Sequence, residues 1–176
     1  NNISDISALA GLTELKELRL ARNKISDISD LAGLTNLVWL DLSYNNISDI
    51  SAVAGLTHLQ ELSLFNNYIL SDISALAGLT NLGSLTLSNN NISDISPLAG
   101  LSNLETLGLG ANNISDISPL AGLTNLQELY LWNNDVGDIS PLAGLTNLQG
   151  LYLYNNNGIN DISPLAGLTN LQELYL

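Results

Sequence analysis

Apolar positions along the chain obey one fixed spacing. Leu15, Leu18 and Leu20 are followed by Ile25, Ile28 and Leu31, and the same phrase returns one unit later at Leu37, Leu40, Leu42, Ile47 and Ile50. Within each unit two periods alternate. The L-x-L stretch has period two and predicts a short strand, with Leu18 and Leu20 pointing inward and Glu17, Arg19 and Ala21 outward. The I-S-D-I-S-x-L-A-G-L stretch brings Ile3, Ile6 and their equivalents back to the core through turns too short for an α-helix. Ser96-Pro97, Ser118-Pro119, Ser140-Pro141 and Ser163-Pro164 read as a serine N-cap followed by proline at the first helical position, and L-A-G-L ends each piece on glycine. These features predict short 3₁₀ segments. Strands from successive units stack into one parallel sheet, and at about 4.8 Å per strand eight units make a stack roughly 38 Å long.

Polar positions repeat as strictly as apolar ones. Asparagine stands at Asn1, Asn23, Asn45, Asn67, Asn90, Asn112, Asn134 and Asn156, and the step from Asn1 to Asn23 is 22 residues. A buried amide directly after the strand both donates to and accepts from the backbones of adjacent turns, so this ladder reads as scaffold. Two units are one residue longer, at Leu70 in I-L-S-D and at Gly158 in N-N-G-I-N-D, both in the turn leaving the strand. The spacing fits the leucine-rich repeat pattern L-x-x-L-x-L-x-x-N-x-L, with isoleucine in the last place, as in Leu15, Leu18, Leu20, Asn23 and Ile25. The expected architecture is one solenoid over residues 1–176, with eight repeats, a parallel concave β-sheet and short 3₁₀ or irregular convex segments.

The whole chain resembles the 22-residue leucine-rich repeats of bacterial internalins, which carry the phrase N-x-I-x-D-I-x-x-L. Asn112, Ile114, Asp116, Ile117 and Leu120 show it here, and Val53 and Val136 depart from it mildly. Internalins are bacterial surface proteins that bind partner proteins on the concave face. The resemblance therefore implies a recognition or adhesion role and an extracellular or cell-surface location. Neither the helical N-terminal cap nor the C-terminal immunoglobulin-like domain of those proteins is visible, so host invasion is not carried over. With no methionine and Asn1 at the start, further flanking sequence is expected. Uncapped terminal repeats are open to end-to-end self-association.

Charge narrows the partners. The formal net charge is −13, which disfavours nucleic acid and anionic membrane surfaces. All four basic residues, Lys16, Arg19, Arg22 and Lys24, fall in one short window. No apolar run approaches the roughly 18 residues that span a bilayer, so membrane insertion is not expected. The absence of cysteine removes thiolate chemistry and leaves the redox compartment open.

The outward strand positions hardly repeat, in contrast to the framework. The central outward column reads Arg19, Asp41, Ser63, Thr86, Gly108, Tyr130, Tyr152 and Tyr175. Its neighbour reads Ala21, Ser43, Phe65, Ser88, Gly110, Trp132 and Tyr154; the third column includes Glu17, Trp39, Glu61, Glu128, Gly150 and Glu173. Exposed tyrosine and tryptophan beside serine and glycine is the composition of recognition surfaces, because rigid rings supply contact area at small entropic cost. Three zones result. A charged end holds Lys16, Glu17, Arg19, Arg22 and Asp41, with Trp39 and Tyr44 adjacent. A shallow middle runs through Ser84, Thr86, Ser88, Thr106, Gly108, Gly110 and Ala111, open to a partner's backbone, and Tyr130, Trp132, Tyr152, Tyr154 and Tyr175 form an aromatic wall; with Phe65 these are the candidate contact residues. The basic window, mixed with Glu17 and Asp41, reads more readily as a solvated ion-pair network than as an anion site.

Little in the chain supports catalysis. His58 is the sole histidine and fills the slot of Asn36 or Asn125 in other units, and no nucleophile turn, phosphate loop or dinucleotide fingerprint is present. The carboxylates Asp5, Asp27, Asp49, Asp72, Asp94, Asp116, Asp138 and Asp161 read as acceptors for backbone N–H groups at the turn, with a calcium ladder the less favoured alternative. No enzyme, metal or cofactor is expected. The leading reading is a recognition module for a protein or peptide ligand. The alternative is a structural or engineered repeat scaffold without a dedicated ligand.

Overall fold

The computed structural model describes all 176 residues. Eight three-residue strands form one open parallel sheet in strict chain order: β1 (Glu17–Arg19), β2 (Trp39–Asp41), β3 (Glu61–Ser63), β4 (Ser84–Thr86), β5 (Thr106–Gly108), β6 (Glu128–Tyr130), β7 (Gly150–Tyr152) and β8 (Glu173–Tyr175). The register pairs each strand leucine with the next, from Leu18 with Leu40 to Leu151 with Leu174. Short 3₁₀ segments such as Ser29–Leu31 and Ser118–Leu120 occupy the opposite side. Between them lies one continuous apolar core built from the repeating leucines and isoleucines. The predicted leucine-rich repeat solenoid is the observed fold.

The asparagine ladder works as a shared clamp. Asn112 is buried; its Nδ2 donates to the carbonyls of Leu87 (3.1 Å) and Leu109 (2.9 Å), and its Oδ1 accepts the Ile92 N–H at 3.0 Å. The next rung overlaps it, since Asn134 Nδ2 also donates to Leu109 O at 3.0 Å. Each side chain therefore ties its own turn to the preceding one. No buried side-chain polar atom lacks a partner.

Two local expectations are corrected. Serine does not cap the 3₁₀ segments: Ser96 is their first residue and Pro97 the second, and the cap is the aspartate two places earlier, with the Ser96 N–H donating to Asp94 Oδ1 at 2.8 Å. The carboxylates of Asp5, Asp27, Asp49, Asp72, Asp94, Asp116 and Asp161 are held below the usual range, first by this backbone bond and then by the serine side chain. Glycine does not close the segments in a left-handed turn either, because no glycine has positive φ. The left-handed position is instead the residue before each ladder asparagine. It is asparagine in four repeats (Asn66, Asn89, Asn133, Asn155) but Arg22 (φ 58°), Tyr44 (φ 55°) and Ala111 (φ 51°) in the others.

The extra residue of each long unit is taken up locally, in the turn leaving the strand. Leu70 is fully buried in the core slot that Ile47 fills in another repeat, and the extra length pushes Tyr68 and Ile69 outward. The same closure recurs in the other long unit, where the Ile159 N–H donates to Asn156 O as the Leu70 N–H does to Asn67 O, both at 3.2 Å.

Candidate functional site

Strand pleating puts the three variable columns on one exposed sheet face, and parallel register aligns them across repeats. Because equivalent side chains fall side by side, like neighbours stack. Tyr130 and Tyr152 lie 4.4 Å apart between ring centroids, Tyr152 and Tyr175 5.0 Å, and Trp132 and Tyr154 5.9 Å, all nearly parallel. The five residues form two adjoining files. Tyr154 and Tyr175 are more exposed than the half-buried Tyr130, Trp132 and Tyr152.

At the other end the mixed charges do not form the expected ion-pair network. One exposed pair exists, Arg19 with Glu17 at 4.0 Å. The arginines are held by rings instead, Arg19 lying 3.6 Å over Trp39 and Arg22 4.2 Å over Tyr44. Tyr44 in turn meets Phe65 edge to face at 5.1 Å. Asp41 turns to its own chain and accepts the Ser43 N–H at 3.0 Å. Arg22, Tyr44 and Phe65 thus make one contiguous group at the rim.

The middle is narrower than expected. The Trp132 ring folds across Gly110, so that a Cβ there would run into it, and the backbone at Gly110 is not open to a partner. What remains is an apolar notch of about 240 Å³. Gly108, Thr86, Thr106 and Ser88 make its floor, and Phe65, Tyr130 and Trp132 its walls.

Three residues that composition did not single out, Glu128, Gly150 and Glu173, belong to this surface. In register, Gly150 sits between Glu128 and Glu173. Lacking a side chain, it lets the Glu128 carboxylate lean over it, and that carboxylate accepts a 3.5 Å hydrogen bond from Tyr130 Oη. Glu173 accepts the hydroxyl of Tyr152 at 2.5 Å from the other side. This bond to a carboxylate raises the Tyr152 pKa well above its ordinary value, while Tyr130 is raised chiefly by burial and then by the Glu128 charge. The missed signal was a glycine flanked in register by two glutamates.

A second amide ladder runs along the flank. Asn36, Asn81, Asn103, Asn125, Asn147 and Asn170 each donate to a carbonyl of the preceding repeat at 2.8–2.9 Å. His58 takes the same place through Nδ1 and Thr35 O at 3.0 Å. This histidine is an exposed rung of scaffold. No helix is long and apolar enough to cross a membrane.

Comparison with known proteins agrees with this geometry. The family model for leucine rich repeats in two copies matches residues 80–122, 124–167 and 146–176, and the leucine rich repeat model matches 1–47 and 13–69. Comparison with curated protein sequences finds no match. Among solved structures, internalin C2 of Listeria monocytogenes is 41% identical with a TM-score of 0.96, covering 100% of this chain and 77% of that one. An internalin of the same species, internalin F, is 40% identical with a TM-score of 0.85, covering 100% of this chain and 58% of its own. A leucine-rich repeat protein of Leptospira interrogans shares the fold at 22% identity, a TM-score of 0.76, and coverage of 98% and 52%. With the repeat phrase, the eight-stranded register and an overlay along its full length all in agreement, the chain belongs to the internalin-type leucine-rich repeat family.

Proposed function

We propose that this chain is a non-enzymatic recognition module that holds a protein or peptide partner on its exposed sheet face, as part of a bacterial surface or secreted adhesion-type protein. The observation that carries the reading is the contrast between columns. Every inward strand position is leucine, whereas the outward positions vary and gather Tyr130, Trp132, Tyr152, Tyr154 and Tyr175 into contiguous aromatic files. Stacked neighbours on adjacent strands contribute about 0.2–1 kcal/mol per pair to a sheet, which supports the alternative of a scaffold with no dedicated ligand. Sheet cohesion accounts for the tyrosine file but leaves the notch and the Arg22–Tyr44–Phe65 group without a purpose.

The test of the main reading is alanine at Tyr130, Trp132, Tyr152 and Tyr154, with the fold checked by circular dichroism. Panning of a displayed peptide library should select ligands that bind the parent chain and lose binding to these variants. Unchanged binding with an intact fold sinks the site assignment.

A further inference from the structure

The sheet face carries two features that fit one kind of partner segment. The first is the apolar notch over Gly108 on β5, walled by Phe65 and Tyr130. The second lies two strands away, where Glu128 leans over Gly150 on β7 and Glu173 pairs with Gly150 in register from the other side. Two strand spacings separate them by about 10 Å.

These carboxylates have no cation of their own. The chain has no lysine or arginine after Lys24, and its single ion pair joins Arg19 to Glu17 at the far end of the sheet. Their only intramolecular partners are the hydroxyls of Tyr130 and Tyr152, and a carboxylate oxygen keeps lone pairs free after one such bond. A net charge of −13 steers basic partners toward the molecule and repels acidic ones.

We infer that this face recognises a peptide segment in which a lysine or arginine seats against the Glu128 and Glu173 carboxylates flanking Gly150 while an apolar side chain about 10 Å away fills the notch over Gly108. The inference rests on the sheet-face reading above and adds the chemistry of the partner. Arginine meets the site best, since its planar guanidinium presents several donors to the two carboxylates at once.

The experiment pans a randomised dodecapeptide library against the whole chain and measures the selected peptides against the parent, the E128Q/E173Q double variant and Trp132→Ala. Glutamine keeps the shape and an acceptor for each tyrosine hydroxyl, so the fold is preserved while the charge is lost. Selected peptides should pair a basic with an apolar residue, bind roughly tenfold or more weakly to the double variant, and weaken with added salt. They should also weaken on Trp132→Ala. Peptides sensitive to Trp132→Ala but indifferent to E128Q/E173Q overturn this inference and leave the sheet-face reading standing. Peptides indifferent to both sets overturn both. Failure to select any peptide overturns the inference, and so does millimolar calcium raising the melting temperature of the parent but not of the double variant, which would make the carboxylates a metal site.

Discussion

Asn112→Ala measures what one rung of the asparagine ladder contributes. The substitution removes the only acceptor of the buried Ile92 N–H. It also removes donors to Leu87 O and Leu109 O, but those carbonyls keep Asn90 Nδ2 at 2.7 Å and Asn134 Nδ2 at 3.0 Å. One orphaned donor costs about 1–3 kcal/mol and two weakened acceptors add about 1 kcal/mol together, so the expected loss is about 2–4 kcal/mol. For a chain of this size that is a drop of roughly 5–15 °C in melting temperature. Denaturant unfolding followed by circular dichroism reads the total, and hydrogen exchange at Ile92 reads the mechanism, with protection lost there first. Asn112→Asp sharpens the test. A carboxylate satisfies the Ile92 N–H but turns a second oxygen on two carbonyls, so the protonated acid is favoured in the fold and its pKa rises. Stability is then retained below about pH 4, the unfolded pKa, and lost as pH rises toward the folded one. At neutral pH the aspartate variant should be worse than alanine and at acid pH better. Asn23→Ala, whose Ile3 N–H partner is exposed, should cost about 1 kcal/mol or less. Equal losses at Asn23 and Asn112, or an unchanged Ile92 exchange rate, refute the clamp.

Other expectations follow from single features. Ala111→Gly relieves a left-handed residue and should add about 1 kcal/mol, raising the melting temperature by roughly 2–4 °C in a thermal scan. Gly158→Ala sets a Cβ 3.0 Å from Gly137 Cα and should cost about 1–3 kcal/mol, whereas Gly110→Ala meets only a swinging ring and should shift Trp132 fluorescence with little loss of stability. The aspartate caps stabilise the fold above the unfolded carboxylate pKa of about 3.9 and lose that contribution as pH falls through their lowered folded values. Acid titration followed by circular dichroism should therefore show unfolding only below about pH 4, and Asp116→Asn should move the midpoint little while Asp116→Ala lowers neutral stability. In alkaline absorbance titrations Tyr152 should ionise after the exposed tyrosines, and Glu173→Gln should bring it back toward them.

The repeat period made the fold legible because every framework position has one job in every copy. Leu85 and Leu107 pair as Leu18 and Leu40 do, and the asparagine hydrogen bonds were readable as a class before any distance was known. The aspartate bonds to backbone N–H groups were legible as a class too, but the place of the serine was not: in D-I-S-P both residues have the oxygen of a cap, and the backbone path, which turns before Ser96, gives that role to Asp94 alone. The left-handed site hid because its residue type changes from Asn66 to Tyr44 to Ala111. On the face, columns named the aromatic residues but not their direction. Trp132 covers Gly110 and Glu128 covers Gly150 because a neighbouring repeat lacks a side chain, and that is a property of pairs across strands rather than of any one column.

Tyr44 puts the division between framework and face to a direct test. Its backbone is left-handed, where tyrosine costs about 1–2 kcal/mol and asparagine, used by four other repeats, costs much less. Its ring lies under Arg22 and meets Phe65, contacts that return about 0.5–1 kcal/mol and about 0.5–1.5 kcal/mol. The two sides nearly cancel, so Tyr44→Asn should change unfolding free energy by less than about 1 kcal/mol while removing the centre of the Arg22–Tyr44–Phe65 group. With no net effect on the fold, the exposed ring group is open to a surface role. If Tyr44→Asn instead destabilises the chain by more than about 2 kcal/mol, the rim aromatics belong to the scaffold and the case for a recognition surface at that end is lost.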